Sequence, residues 1–166
     1  MTRPSPGRRA ACPADPARPC PSAAAALRRA PPMLRLWRVV PPQALGPATA
    51  RSLLMVLRVV EPPCSRRRWE AALRGDPAAM ARVALTVLRV HGVTGPAADT
   101  AASGLLVQAL RGDRTAPVIL ATALRRLARR RPDDRHLAVL ADRWAAWSPR
   151  VPPAQRARPA GHGSGP

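Results

Sequence analysis

The stretch Asp76-Pro77-Ala78-Ala79-Met80-Ala81-Arg82-Val83-Ala84-Leu85-Thr86-Val87-Leu88-Arg89-Val90-His91-Gly92 decides the fold class. Asp76 can accept a bond from a free N–H at a helix start, and Pro77 fits the first helical position, where its missing donor costs nothing. Met80, Val83, Ala84, Val87, Leu88 and His91 then fall at i, i+3, i+4, i+7, i+8 and i+11, which is one face of a helix. Gly92 closes it. Such a stripe has to be covered by other apolar faces, so the chain must supply neighbours.

Downstream, Thr94-Gly95-Pro96 opens a segment with Leu105, Leu106, Ala109 and Leu110 that stops at Gly112; its Ala101, Ala102, Ser103 and Gly104 let a neighbour approach closely. Asp113 or Thr115, ahead of Pro117, opens a third helix with Leu120, Ala121, Leu124, Leu127 and Ala128 on one side. Pro132 and Asp133 end it and start a fourth, carrying Leu137, Leu140, Ala141 and Trp144 until Ser148-Pro149. Upstream, Ser65 is placed to cap a shorter helix with Trp69, Ala72 and Leu73. The run Leu53 to Val60, with Arg58 inside it, reads as a short lid helix after Pro47. No segment alternates as a half-buried strand would. Connections of about two to six residues favour antiparallel neighbours. The expectation is all-α: a compact bundle of five or six short antiparallel helices, with Trp69 and Trp144 in its core.

Proline marks the limits of this bundle. There are 13 prolines in residues 1–63, four in 64–148 and five in 149–166. Proline removes a backbone donor and fixes φ, so dense proline opposes both helix and sheet. The expected organisation is a disordered Arg/Pro/Ala-rich arm over residues 1–46, a helical domain over 47–148 with its core in 64–148, and a disordered tail over 149–166.

Charge and composition narrow the class further. All 28 Lys+Arg positions are Arg, against nine acids, for a formal charge of +19. Ala, Arg, Pro and Gly belong to GC-rich codons, so a spurious, non-functional translation of a GC-rich frame would share this composition. It would not be expected to share capped helices with apolar faces in register. Cys12, Cys20 and Cys64 are odd in number and irregular in spacing, which excludes a disulfide framework. Arginines interrupt every apolar run well short of the ~20 residues of a membrane span. Only Asp15 is acidic before Glu61, so the leader has the Arg-rich, acid-poor character of a mitochondrial transit segment, although Pro31-Pro32 and Pro41-Pro42 interrupt any helix there. An intracellular setting, cytoplasmic or nuclear, is the expectation.

Ala72-Leu73-Arg74-Gly75-Asp76 recurs as Ala109-Leu110-Arg111-Gly112-Asp113. In the length of this period, and in the acid that follows a helix end, the echo resembles degenerate HEAT-type repeats, which implies paired helices stacked as hairpins. A good helix stop followed by a good cap accounts for the same five residues.

Chemistry-bearing patterns are scarce. Cys12 and Cys20 have no partner pair for zinc. Cys64 lies beside Arg66, Arg67 and Arg68 but has no positioned base. His91 and His136 sit near helix ends, and Asp133-Asp134 is explained by capping. The glycines punctuate helices rather than forming a phosphate loop. No catalytic, cofactor-binding or metal residue is assigned, and no enzyme activity or cofactor is expected. What remains is charge. Arg125, Arg126, Arg129 and Arg130 form two i, i+4 ridges extended by Arg131, with Arg66, Arg67 and Arg68 as a second cluster. The first expectation is a non-enzymatic helical interaction module presenting exposed apolar positions such as Trp147 and Leu106 to a protein partner. The alternative is sequence-nonspecific binding of nucleic acid or another polyanion through these arginines and the basic arms.

Overall fold

The computed structural model of the protein describes residues 31–148. These contain six α-helices: α1 Pro47–Val59, α2 Arg66–Leu73, α3 Pro77–Val90, α4 Pro96–Leu110, α5 Thr115–Arg130 and α6 Arg135–Ala145. Two 3-10 segments, Pro32–Arg38 and Pro42–Ala44, precede them. No strand occurs among the described residues, and the fold is all-α. The arm over residues 1–30, with its transit-like character, and the tail over 149–166 lie outside the described residues.

Helix α4 is the hub. It touches α1, α3, α5 and the first 3-10 segment, and every residue from Ala98 to Ala109 is buried. A helix covered on all sides needs apolar or small residues, and this one departs from that only at Gln108 and at Asp99, whose carboxylate is paired. Gly104 shows why small residues are required: a Cβ there would stand 2.5 Å from Met80 Sδ and 3.4 Å from Trp69 Cη2. The neighbours are amphipathic. Helix α3 buries Met80, Val83, Ala84, Val87 and Leu88, the stripe read from the sequence, while His91 at its C-cap is exposed. Helix α5 buries Leu120, Leu124 and Leu127, and α6 packs on it with Leu137, Leu140 and Trp144.

Trp69 and Trp144 lie in the core, as expected. Trp69 Nε1 donates to the carbonyl of Leu57 at 3.1 Å, joining α2 to α1. A buried indole N–H requires such a partner, and the end of α1 supplies it. Leu106 corrects one expectation. It is fully buried against the hub's neighbours and is not a surface position; Trp147 is half-buried, edge-on to Trp144 with ring centroids 5.6 Å apart.

The caps decide where helices begin. Asp76 Oδ1 accepts from the N–H groups of Ala78 and Ala79, and the two oxygens of Asp113 accept from Thr115 and Ala116. Ser65 makes no side-chain cap bond, so α2 starts without the expected help. The repeated pentapeptide is one local structure used twice. Gly75 at φ 110° and Gly112 at φ 104° each take the left-handed turn that ends a helix, and the following Asp caps the next one. The side chain of Arg111, next to the second turn, reaches the first, with its Nη1 3.8 Å from the position of a Cβ on Gly75.

The packed region begins earlier than the proline count implies. Residues 32–46, expected to be disordered, form a strap across the bundle, with Leu34 and Trp37 fully buried in the main core. A 3-10 turn tolerates proline in its first positions, as at Pro32 and Pro42, because those N–H groups have no internal partner. Its threefold spacing puts Leu34 and Trp37 on one side. Burying them is worth about 3–6 kcal/mol together.

Candidate functional site

Two separate clefts lie near the C-terminal end of α5. The first, of about 400 Å³, is walled by Leu88 and Arg89 of α3, the turn at Gly92 and Val93, and Arg126, Arg129 and Arg130 of α5. Leu88 faces the core, which carries Arg89, the next residue on α3, to the solvent side where α3 lies against α5. Arg130 Nη1 stands 3.6 Å from the position of a Cβ on Gly92, so the guanidinium lies over the bare turn. All four arginines are exposed, none forms an ion pair among the described residues, and no acid lines the cleft. Unbalanced guanidinium groups facing one space attract phosphate oxygens, with bidentate geometry available to each.

The sequence ridge is therefore divided. Arg126, Arg129 and Arg130 share this cleft; Arg125 turns to α6 and pairs with Asp142 at 3.1 Å. Arg131 points to the second cleft. Arg66, Arg67 and Arg68 are on α2 and line neither one; Arg66 pairs with Glu70 at 3.7 Å, and Arg68 lies by Cys64 in a separate hollow. Burial, partly opposed by Arg68, pushes the Cys64 thiol up, which leaves little thiolate at neutral pH.

The second cleft, about 450 Å³, lies between the strap and the ends of α4 and α5. Its floor is Asp99, in the first turn of α4 and 1% exposed. Trp37 Nε1 donates to Oδ1 at 3.2 Å, Arg38 Nη2 donates to Oδ2 at 2.7 Å, and Arg35 Nε lies 3.5 Å from Oδ2. The strap is fixed further where Ser103 Oγ donates to Leu34 O at 2.9 Å and Trp144 Nε1 donates to Trp37 O at 3.2 Å. Burial raises the Asp99 carboxyl above the ordinary range, against the pull of Arg38, the Trp37 hydrogen bond and Arg35. Burial also lowers Arg38; the attraction of Asp99 opposes this, and the nearby charges of Arg35 and Arg131 add to it. The pair is held in place at the cost of desolvating both members.

Asp99, Arg35, Arg38 and Arg89 were not singled out by sequence reasoning. The one available signal was Asp99 itself, the single charged residue in α4. Among the described residues no group of three or more His, Cys, Asp and Glu side chains is placed to hold a metal ion, and no helix is long and apolar enough to cross a membrane. A scan against protein-family models, a search of curated proteins and a search of solved structures each return no match for this chain.

Proposed function

We propose that the protein is a non-enzymatic helical module that binds polyanions, in the first place the phosphate backbone of duplex nucleic acid, without reading base sequence. One observation carries this reading: Arg89, Arg126, Arg129 and Arg130 converge on a cleft that no acid lines. Four guanidinium groups carried on two packed helices start from an ordered backbone, so less backbone freedom is lost on binding than by a flexible arm. A duplex is favoured over a single strand, because base stacking needs exposed aromatic rings. The sequence has no Phe or Tyr, Trp37, Trp69 and Trp144 are buried, and Trp147 is packed on Trp144. Docking of a protein partner, the first expectation from sequence, loses Leu106 as a contact position.

The test is salt dependence on a random-sequence duplex. If four phosphates are engaged, log K falls with log salt at a slope of about −3.6, which is on the order of a hundredfold between 50 and 200 mM. Replacing Arg126, Arg129 and Arg130 together by Gln flattens that slope to about −1. Binding that is insensitive to salt, or a slope unchanged in the triple variant, overturns the reading.

A further inference from the structure

The second cleft has a different character from the first. Three guanidinium groups from two separate parts of the chain face one space: Arg35 and Arg38 from the strap, Arg131 from the residue following α5. One carboxylate, Asp99, faces them from the floor, and it is already engaged by Trp37 and Arg38. Asp134 stands at the rim, at the start of α6, and forms no ion pair among the described residues. The helix N-terminus beside it takes up part of its charge. Three cations against one engaged and one peripheral acid leave between one and two positive charges unmatched.

Arg35 and Arg131 carry that surplus. Arg35 is half-exposed, and its Nε is buried with no hydrogen-bond acceptor despite lying 3.5 Å from Asp99. Its terminal nitrogens are left for another acceptor. Arg131 is exposed and makes no ion pair among the described residues. The mutual repulsion of Arg35, Arg38 and Arg131 is relieved by an anion placed among them, and a dianion matches the surplus better than a carboxylate does.

We propose that this cleft is a binding site for a phosphate dianion, free or as a terminal monoester, gripped by Arg35 and Arg131 with Arg38 and Asp99 as the fixed floor. The volume of about 450 Å³ leaves room for the group that an ester would carry. Because two of the arginines belong to the strap and the third to the bundle, the bound anion ties one to the other. The site is distinct from the acid-free cleft, and it stands or falls separately from duplex binding.

The experiment is titration calorimetry of the full chain with inorganic phosphate at low ionic strength, on the unaltered protein and on Arg35→Gln, Arg131→Gln and Arg58→Gln, the last an exposed arginine on α1 that lines neither cleft. Both substituted cleft residues are solvent-accessible, and circular dichroism checks that the variants keep the fold. The expected result is a saturable site weakened roughly tenfold or more by Arg35→Gln and by Arg131→Gln and left within about twofold by Arg58→Gln. Phosphate is also expected to slow amide exchange over residues 34–40. No saturable binding, or equal weakening by all three substitutions, overturns the proposal, the latter because it indicates diffuse charge attraction. A third arm separates the sources. A duplex with a 5′-phosphate that displaces inorganic phosphate, where its 5′-hydroxyl counterpart does not, assigns the site to a strand end. Binding of inorganic phosphate with displacement by neither duplex assigns it to a free phosphate or a small ester.

Discussion

Trp37→Phe measures whether the strap belongs to the cooperative core. Trp37 is completely buried, and its Nε1 is one of the two hydrogen-bond donors to the buried Asp99. Phe keeps most of the ring but removes that donor, and a hydrogen bond to a charged partner is worth about 1.5–3 kcal/mol. The volume lost with the second ring adds roughly 1–2 kcal/mol as a partly filled cavity. The expected destabilisation is therefore about 2.5–5 kcal/mol, which lowers Tm by on the order of 10–20 °C for a domain of this size. Trp69→Phe is the matched control: it loses a neutral bond to the Leu57 carbonyl, worth only about 0.5–1.5 kcal/mol, and a similar volume. Urea unfolding followed by far-ultraviolet circular dichroism gives both free energies. A Trp37→Phe variant within about 1 kcal/mol of the parent, or less affected than Trp69→Phe, would refute the placement of the strap in the folding unit.

Four further outcomes follow from the same contacts. Asp99 has a folded-state pKa above its unfolded value, so its contribution to stability is fully present below the ordinary carboxylate range and is lost as pH rises through the folded value. The stability of the parent relative to Asp99→Asn therefore falls as urea titrations move upward from about pH 4; a rise would mean that the attraction of Arg38 outweighs burial. Gly104→Ala gains about 1 kcal/mol of helix propensity but pushes into Met80, with Trp69 also at the new methyl's edge. A net loss of about 1 kcal/mol by chemical denaturation is expected, and a gain contradicts the close packing of α3 on α4. Asp113→Ala removes a cap accepting from two N–H groups and costs about 1 kcal/mol, read from the thermal melt. Arg126→Gln relieves repulsion from Arg130 one turn away, raising stability by a few tenths of a kcal/mol while weakening duplex binding at low salt; unchanged binding counts against the cleft.

Most of the helices were legible because they carry local evidence: a stripe at 3.6-residue spacing in α3, α5 and α6, a Pro or Asp at or just before the start of α1, α3, α4, α5 and α6, and a Gly after α2, α3 and α4. The expected lid helix begins at Pro47 rather than Leu53, and its Leu53 and Leu57 are core residues. Met80, Val83, Ala84, Val87 and Leu88, and Leu137, Leu140, Ala141 and Trp144, are buried as those patterns require. The strap was not legible. Its prolines signal an extended arm, and its two anchors, Leu34 and Trp37, fit a 3-10 turn too short to register as periodicity. The candidate sites were legible only in half. The α5 arginines announce themselves as a run, but Arg89 joins them only because α3 packs against α5. The contact of Arg38 with Asp99 spans 61 residues, and nothing local encodes it. A lone acid in an apolar helix flags a partner without naming one.

Trp144 donates to the carbonyl of Trp37 across a separation of 107 residues. During synthesis, at ~5–20 residues per second, Trp37 emerges from the ribosome roughly 5–20 s before the helix that closes over it. Through that interval Leu34 and Trp37 have no completed surface to bury against, and the nascent chain carries an apolar segment next to a strongly cationic leader. The exposure ends once α6 has left the exit tunnel and Trp144 closes over Trp37.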